Sequence, residues 1–123
     1  MIAKRQTLLR NLVVGDIFHA ESANGASLIC LAIFVADSVI EARTVPTQIR
    51  IRFDRQTGKA VWGNDKVFCD IDSIAPLPPD IHSVILGLDA KFSRERDAEQ
   101  LKLSEAEKRA LVFVDTYYAS NQI

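Results

Sequence analysis

"VIEARTVPTQIRIRFD", residues 39–54, decides the fold, because apolar and polar residues alternate on both sides of a Pro46-Thr47 turn signal. Alternation of this kind is typical of half-buried strands that meet in a hairpin. Symmetric pairing across the turn gives one almost wholly apolar face, made of three pairs: Ile40 with Phe53, Ala42 with Ile51, and Thr44 with Ile49. The stretch therefore predicts an antiparallel hairpin with this face in the core.

The opposite face of the same hairpin is charged. It pairs Glu41 with Arg52, and Arg43 with Arg50. Two like charges directly opposite each other destabilise a sheet unless a nearby group offsets them. We therefore expect an acidic group close to Arg43 and Arg50.

The following hairpin adds a tryptophan to the charged face. With Gly58 as the left-handed turn residue, Arg55 pairs with Lys59 and Phe53 pairs with Val61. In that register Trp62 lies opposite Arg52, where a guanidinium over the indole is favourable. A register shifted by one residue buries Trp62 in the core instead. The predicted surface, called the arginine patch, has Val39 and Val45 at its margins and consists of Glu41, Arg43, Arg50, Arg52 and Trp62.

Similar β-branched runs lie on both sides of the hairpin. Turn signals separate them into predicted strands near residues 13–22, 27–36, 38–45, 48–55, 59–63 and 66–74. The run "LICLAIFVA", residues 28–36, is apolar throughout and predicts a strand buried on both faces. Consecutive short hairpins predict a curved antiparallel meander or a small barrel, which resembles SH3-like barrels in architecture.

The sequence changes to a helical period after "APLPPD", residues 75–80. One predicted helix starts near Asp80 and has one apolar face, made of Ile81, Val84, Ile85, Leu88 and Phe92. A second begins with a capping box, Ser104 and Glu107, and carries a stripe made of Ala106, Ala110, Leu111, Val114, Tyr117 and Tyr118. The expected fold is a single α+β domain over residues 1–123, with a barrel over about 12–75 and two C-terminal helices over about 80–120.

Composition narrows the class of protein. The chain has 123 residues, 48% apolar and 25% charged, which indicates one ordered domain. A net charge of −1 gives no strong overall attraction to nucleic acid or an anionic membrane.

Cys30 and Cys69 lie in apolar contexts, so we expect reduced, buried thiols. With no signal-peptide pattern or membrane-length apolar run, we expect a cytoplasmic protein that does not bind membranes.

Candidates for chemistry are weak. Cys69 with His19 or His82, oriented by Asp16 or Asp70, would make a thiol hydrolase, but nothing in the spacing supports that arrangement. Asp70 and Asp72 share a strand face, yet two carboxylates make a poor cation site. The histidines and cysteines lack the close pairs of a zinc site, and no glycine-rich loop leads into a helix. We expect no metal and no cofactor.

Three interpretations of the arginine patch stay open. In the first, the C-terminal helices cover it, and acids neutralise the arginines, the candidates being Asp89, Glu105, Glu107 and Asp115. In the second, it binds another protein or a second copy of the chain, since arginine and tryptophan dominate interface energetics. In the third, the arginines take nucleic-acid phosphates and Trp62 stacks on a base.

By elimination we favour a non-enzymatic binding or regulatory protein that acts through protein–protein contacts, either with a partner or as a homo-oligomer. A nucleic-acid-binding module that uses the arginine patch is the first alternative. A small hydrolase with a Cys/His site is the second.

Overall fold

The computed structural model of the chain describes residues 4–61, 67–94 and 102–122. Within them the chain forms a short helix, six strands and two longer helices, in the order α1 (Lys4–Arg10), β1 (Ile17–Ser22), β2 (Ser27–Val35), β3 (Val39–Thr44), β4 (Arg50–Asp54), β5 (Lys59–Val61), β6 (Val67–Ser73), α2 (Pro79–Arg94) and α3 (Glu105–Ala119).

The six strands form one antiparallel sheet in the order β4-β3-β2-β1-β6-β5. Its two outer strands, β4 and β5, lie side by side, so the sheet curls into a nearly closed barrel. The two C-terminal helices follow the barrel in sequence. The predicted α+β class, with a small antiparallel barrel and two helices, is therefore confirmed.

The β3–β4 hairpin has the predicted register. Its pairs are Val39 with Asp54, Ile40 with Phe53, Glu41 with Arg52, Ala42 with Ile51, and Arg43 with Arg50. The amide of Thr44 donates to the carbonyl of Ile49 at 2.8 Å, so this pair also forms. Ile49 was expected on the core face but is 56% exposed, because it lies just before the first residue of β4 and outside the packed interior.

The predicted register of the next hairpin is wrong. β5 is hydrogen-bonded to β6 and not to β4, with Ala60 buried and Val61 exposed, so Val61 does not share the core face with Phe53. The turn closes through the amide of Gly58, which donates to the carbonyl of Asp54 at 2.8 Å. The Asp54 carboxylate accepts hydrogen bonds from the amides of Gln56 and Thr57. These bonds make Asp54 the first residue of the turn, one residue earlier than predicted.

Two apolar clusters stabilise the fold. The barrel interior contains side chains from α1 and all six strands, among them Leu9, Phe18, Cys30, Phe53 and Ile71. The outer faces of β1 and β2 pack against α2 and α3 through a second cluster, which includes Ile17, Leu31, Leu88, Val114 and Tyr118. The central strand β2 is thus buried on both faces over Ile29–Ala32, as its continuous apolar run predicts.

The two C-terminal helices lie where the sequence predicts them, and one residue of the predicted α3 stripe differs in burial. Ser104 caps α3, and its hydroxyl and the Glu107 carboxylate form the predicted capping box. Ala106 is exposed, so it does not belong to the buried stripe. α1 was not predicted, and β1 begins at Ile17 and not near residue 13.

The Arg55 side chain fastens α1 to the barrel. Its guanidinium donates to the carbonyls of Leu9, Arg10 and Leu12 at 3.3, 2.6 and 3.3 Å. It also donates to the carbonyl of Ala36 at 2.9 Å. Carbonyls at a helix C-terminus lack hydrogen-bond donors within the helix, and the Arg55 guanidinium provides those donors.

Candidate protein-binding surface

Arg43 has the acidic neighbour that the opposed arginines require. Its guanidinium donates through Nε and Nη2 to the two carboxylate oxygens of Asp89 on α2, at 2.9 and 2.7 Å. Gln48 Nε2 donates to the same carboxylate at 2.9 Å. Two parallel hydrogen bonds between arginine and a carboxylate form the strongest common ion-pair geometry.

The pKa of Asp89 reflects this environment. Burial alone raises it, since the residue is only 6% exposed. Hydrogen bonds from Arg43 and Gln48 and the charge of Arg43 outweigh burial, so the pKa of Asp89 lies below its usual range. The first interpretation of the arginine patch therefore holds for Arg43, which is neutralised by a helix of the same chain.

Arg50 and Arg52 differ from Arg43, because both remain exposed. The Arg52 side chain is 72% exposed and pairs with the partly exposed Glu41 at 3.0 Å, so this ion pair is largely accessible to water. The Arg50 side chain is exposed and makes no hydrogen bond or ion pair with any residue that the structure describes. Trp62, the fifth predicted member of the arginine patch, lies outside the described residues.

Phe34 joins these arginines on the outer face of the sheet. A bulge between Ala32 and Phe34 shifts the register of β2, so that Phe34 pairs with Glu41 while Val35 packs against the barrel interior. Because Glu41 in turn pairs with Arg52, the side chains of Phe34, Glu41 and Arg52 form a row across three strands. Phe34 is 50% exposed, and strict alternation would place it on the opposite face.

The turn before β1 lies along the same end of β2. The Gly15 amide donates to the carbonyl of Ala32, and the Ala32 amide donates to that of Asp16, each at 2.9 Å. Val13 and Val14, in this turn, are both exposed. We call the outer face of these strands the β2–β4 surface, defined by Phe34, Glu41, Arg50 and Arg52, and the turn with Val13 and Val14 lies beside Ala32 of β2.

None of the other acids proposed to neutralise the arginines pairs with an arginine of the patch among the described residues. Glu107 pairs with Lys91 at 3.1 Å, and its pKa is lowered, chiefly by the hydrogen bond from the Ser104 amide. Glu105 pairs with Lys108 within α3. Asp115 has no ion pair or hydrogen bond within the described part of the chain.

The cysteines and His19 do not form a reactive cluster. Cys69 is 1% exposed inside the barrel, and burial, with a smaller effect of Asp70, raises its pKa to about 11. Burial also raises the pKa of Cys30. His19 Nδ1 instead contacts Asp72 Oδ1 at 2.5 Å, and its ring lies 5.5 Å from that of Tyr118 on the helix-covered side of β1. The Cys69 thiol and the His19 imidazole are thus on opposite sides of the sheet, and His82, the other proposed histidine, lies on α2, outside the barrel interior that contains Cys69.

Comparison of the chain with protein-family models, with curated protein sequences and with solved structures finds no match. In residues 4–61, 67–94 and 102–122, no helix combines the length and apolarity that a membrane crossing needs. Among the same residues, no three His, Cys, Asp or Glu side chains come together as metal ligands. The surface geometry is therefore the basis for a functional proposal.

Proposed function

We propose that this protein is a non-enzymatic binding module that docks a protein partner on the β2–β4 surface. The observation that carries the proposal is the exposure of Arg50 and Arg52 on the same face as Phe34, which a bulge turns outward. Aromatic and arginine side chains are enriched in protein interfaces and in their energetic centres. An exposed phenylalanine beside two arginines has the composition of such a centre.

The chemistry of the surface specifies the partner. Arg50 carries a charge that no described residue neutralises, and Arg52 pairs, among the described residues, only with the partly exposed Glu41. An acidic side chain of a partner can displace or share these exposed contacts at little cost, because exposed ion pairs contribute little to stability. Phe34, which pairs with Glu41, adds an exposed apolar area beside the charges. The best-fitting partner is a protein segment that presents acidic residues next to an apolar one.

Site-specific photo-crosslinking tests this proposal. A benzoylphenylalanine replaces Phe34, and crosslinks are collected in an extract of the native host. We expect a protein adduct at this position that disappears when Arg50→Glu and Arg52→Gln are combined, since both positive charges are then lost. Arg52→Gln avoids placing an acid opposite Glu41. Both arginines are exposed, so the variant should keep its free energy of unfolding within about 0.5 kcal/mol.

Two controls make the result specific. The combination of Lys108→Gln and Arg109→Glu changes the net charge equally on an exposed part of α3 and should leave the adduct intact. Benzoylphenylalanine at Val112, exposed on the same helix, should not give it. An adduct with a second copy of the chain would identify the partner as the protein itself. A nuclease-sensitive adduct would support the nucleic-acid alternative, and no specific adduct would contradict the proposal.

A further inference from the structure

We infer that a groove between α3 and the β3–β4 loop, residues 45–49, takes a lysine side chain from the bound protein. The inference rests on the proposed function, because the protein partner supplies this lysine. The groove lies beside the start of the segment that carries Arg50, since Val45 and Thr47 both line it. A partner on the β2–β4 surface therefore has this groove within reach across one loop.

The floor of the groove suits a methylene chain. It is lined by apolar side chains, including Ile29 and Val45, which are otherwise buried, and Leu111 of α3. Its volume of about 230 Å³ is smaller than the cavities that hold cofactors or drug-sized ligands. One long side chain fits better. Lysine packs its methylene stem on apolar surface and extends its charged end to a polar edge.

The polar edge of the groove consists of oxygen acceptors. Ser27, Thr47 and Asp115, whose side chains carry oxygen acceptors, are among the residues that line it, and none of the described lining residues is basic. The Thr47 hydroxyl also bonds that of Thr44, but a hydroxyl oxygen has a second lone pair that can accept another donor. Asp115 is exposed and has no charged partner among the described residues. The groove thus offers one negative charge and two neutral acceptors to a cation.

Lysine matches this set of acceptors better than arginine. An ammonium group is compact and has three N–H donors that point in different directions, whereas a guanidinium is planar and favours paired acceptors in its own plane. Here one carboxylate and two hydroxyls come from three separate elements, β2, the β3–β4 loop and α3. Acceptors carried by separate elements suit a compact group with divergent donors better than a planar fork.

Methyl NMR with a lysine analogue tests the groove without any partner. The chain is labelled at Ile, Leu and Val methyl groups and titrated with Nα-acetyl-lysine-N-methylamide. We expect saturable shifts of the Ile29, Val45 and Leu111 methyl signals. The Nε-acetylated analogue has the same stem without the charge and should bind at least about ten-fold more weakly. The arginine analogue should also be weaker.

Variants identify the acceptor. Asp115→Asn should weaken binding of the lysine analogue about ten-fold and leave the melting temperature unchanged, since Asp115 is exposed. Glu105→Gln, an equally exposed change on the same helix, should have no effect. Absence of saturable shifts, equal binding of the acetylated analogue, or unchanged binding by Asp115→Asn would each overturn the inference. None of these outcomes affects the crosslinking test at Phe34, so the two proposals fail separately.

Discussion

Arg43 and Arg50 lie directly opposite each other on β3 and β4, and of these two side chains only that of Arg43 contacts an acidic residue in the described part of the chain. The difference comes from α2, which places Asp89 against Arg43 but leaves Arg50 exposed. Two residues of the same type in one cross-strand pair thus have different roles. Arg43 connects the barrel to α2, whereas the Arg50 side chain stays exposed, where we propose that a partner binds.

The two arginines should differ in their contributions to stability. Arg43→Met leaves the buried Asp89 carboxylate with Gln48 alone, and we expect it to lower the free energy of unfolding by about 2–3 kcal/mol. Arg50→Met is the matched control and should change it by less than about 0.5 kcal/mol. Denaturant unfolding measures both. Equal effects of the two substitutions would show that Asp89 does not distinguish the arginines.

Stability should fall in acid partly because of Asp89. Its pKa is lower in the folded chain than in the unfolded chain, where aspartate titrates near 3.9. The stabilising contribution is therefore fully present above about pH 5 and is lost as the pH falls through 3.9 toward the folded pKa. Asp89→Asn should be less stable than the natural chain at pH 7, with a difference that shrinks in acid. Parallel curves of unfolding free energy against pH would contradict this.

Both thiols should be protected in the folded protein. Cys30 and Cys69 are free and buried, and the raised pKa of Cys69, about 11, leaves about one thiolate in a thousand at pH 8. We expect a disulfide reagent such as dithiobis-nitrobenzoate to modify the native chain only as fast as it opens, and to modify both cysteines at once in denaturant. Ser120→Cys, at an exposed position, is the control for reagent access. Fast modification of the native thiols would restore the case for a thiol enzyme.

Local alternation was enough to predict much of the fold. The register of β3 and β4 follows from matching apolar residues across the turn, because a shift by one residue would expose Ile40, Ala42 and Phe53. The need for an acid near Arg43 follows from the same register. The sequence offered four candidates, and the packing of α2 selects Asp89, a tertiary contact between residues 46 positions apart.

The rest depends on interactions that alternation does not encode. The bulge at Phe34 inserts a residue into β2, so it reverses the face of every later residue in that strand. The prediction also put Val61 on the core face. It failed because the Asp54 side chain bonds the turn amides, so the turn begins at Asp54 and not at Arg55. α1 is too short to give a clear helical period, and its position depends on Leu9 in the barrel and on Arg55.

Arg55 should be the residue on which the position of α1 depends most. Its guanidinium donates to four carbonyls, two in the last turn of α1 and one just after it, and lysine cannot reproduce that planar set of donors. We expect Arg55→Lys to lower the free energy of unfolding by about 1–2 kcal/mol.

The loss should be concentrated at α1. The amides of Asn11 and Leu12, which bond back into α1, should exchange with solvent faster in Arg55→Lys, while amides of β2 change only as far as global stability does. Arg52→Lys, at an exposed arginine whose partner is a carboxylate, is the control and should leave both sets unchanged. If the Asn11 and Leu12 amides kept their protection in Arg55→Lys, the packing of Leu9 and Leu12 in the barrel would be sufficient to hold α1 without the guanidinium.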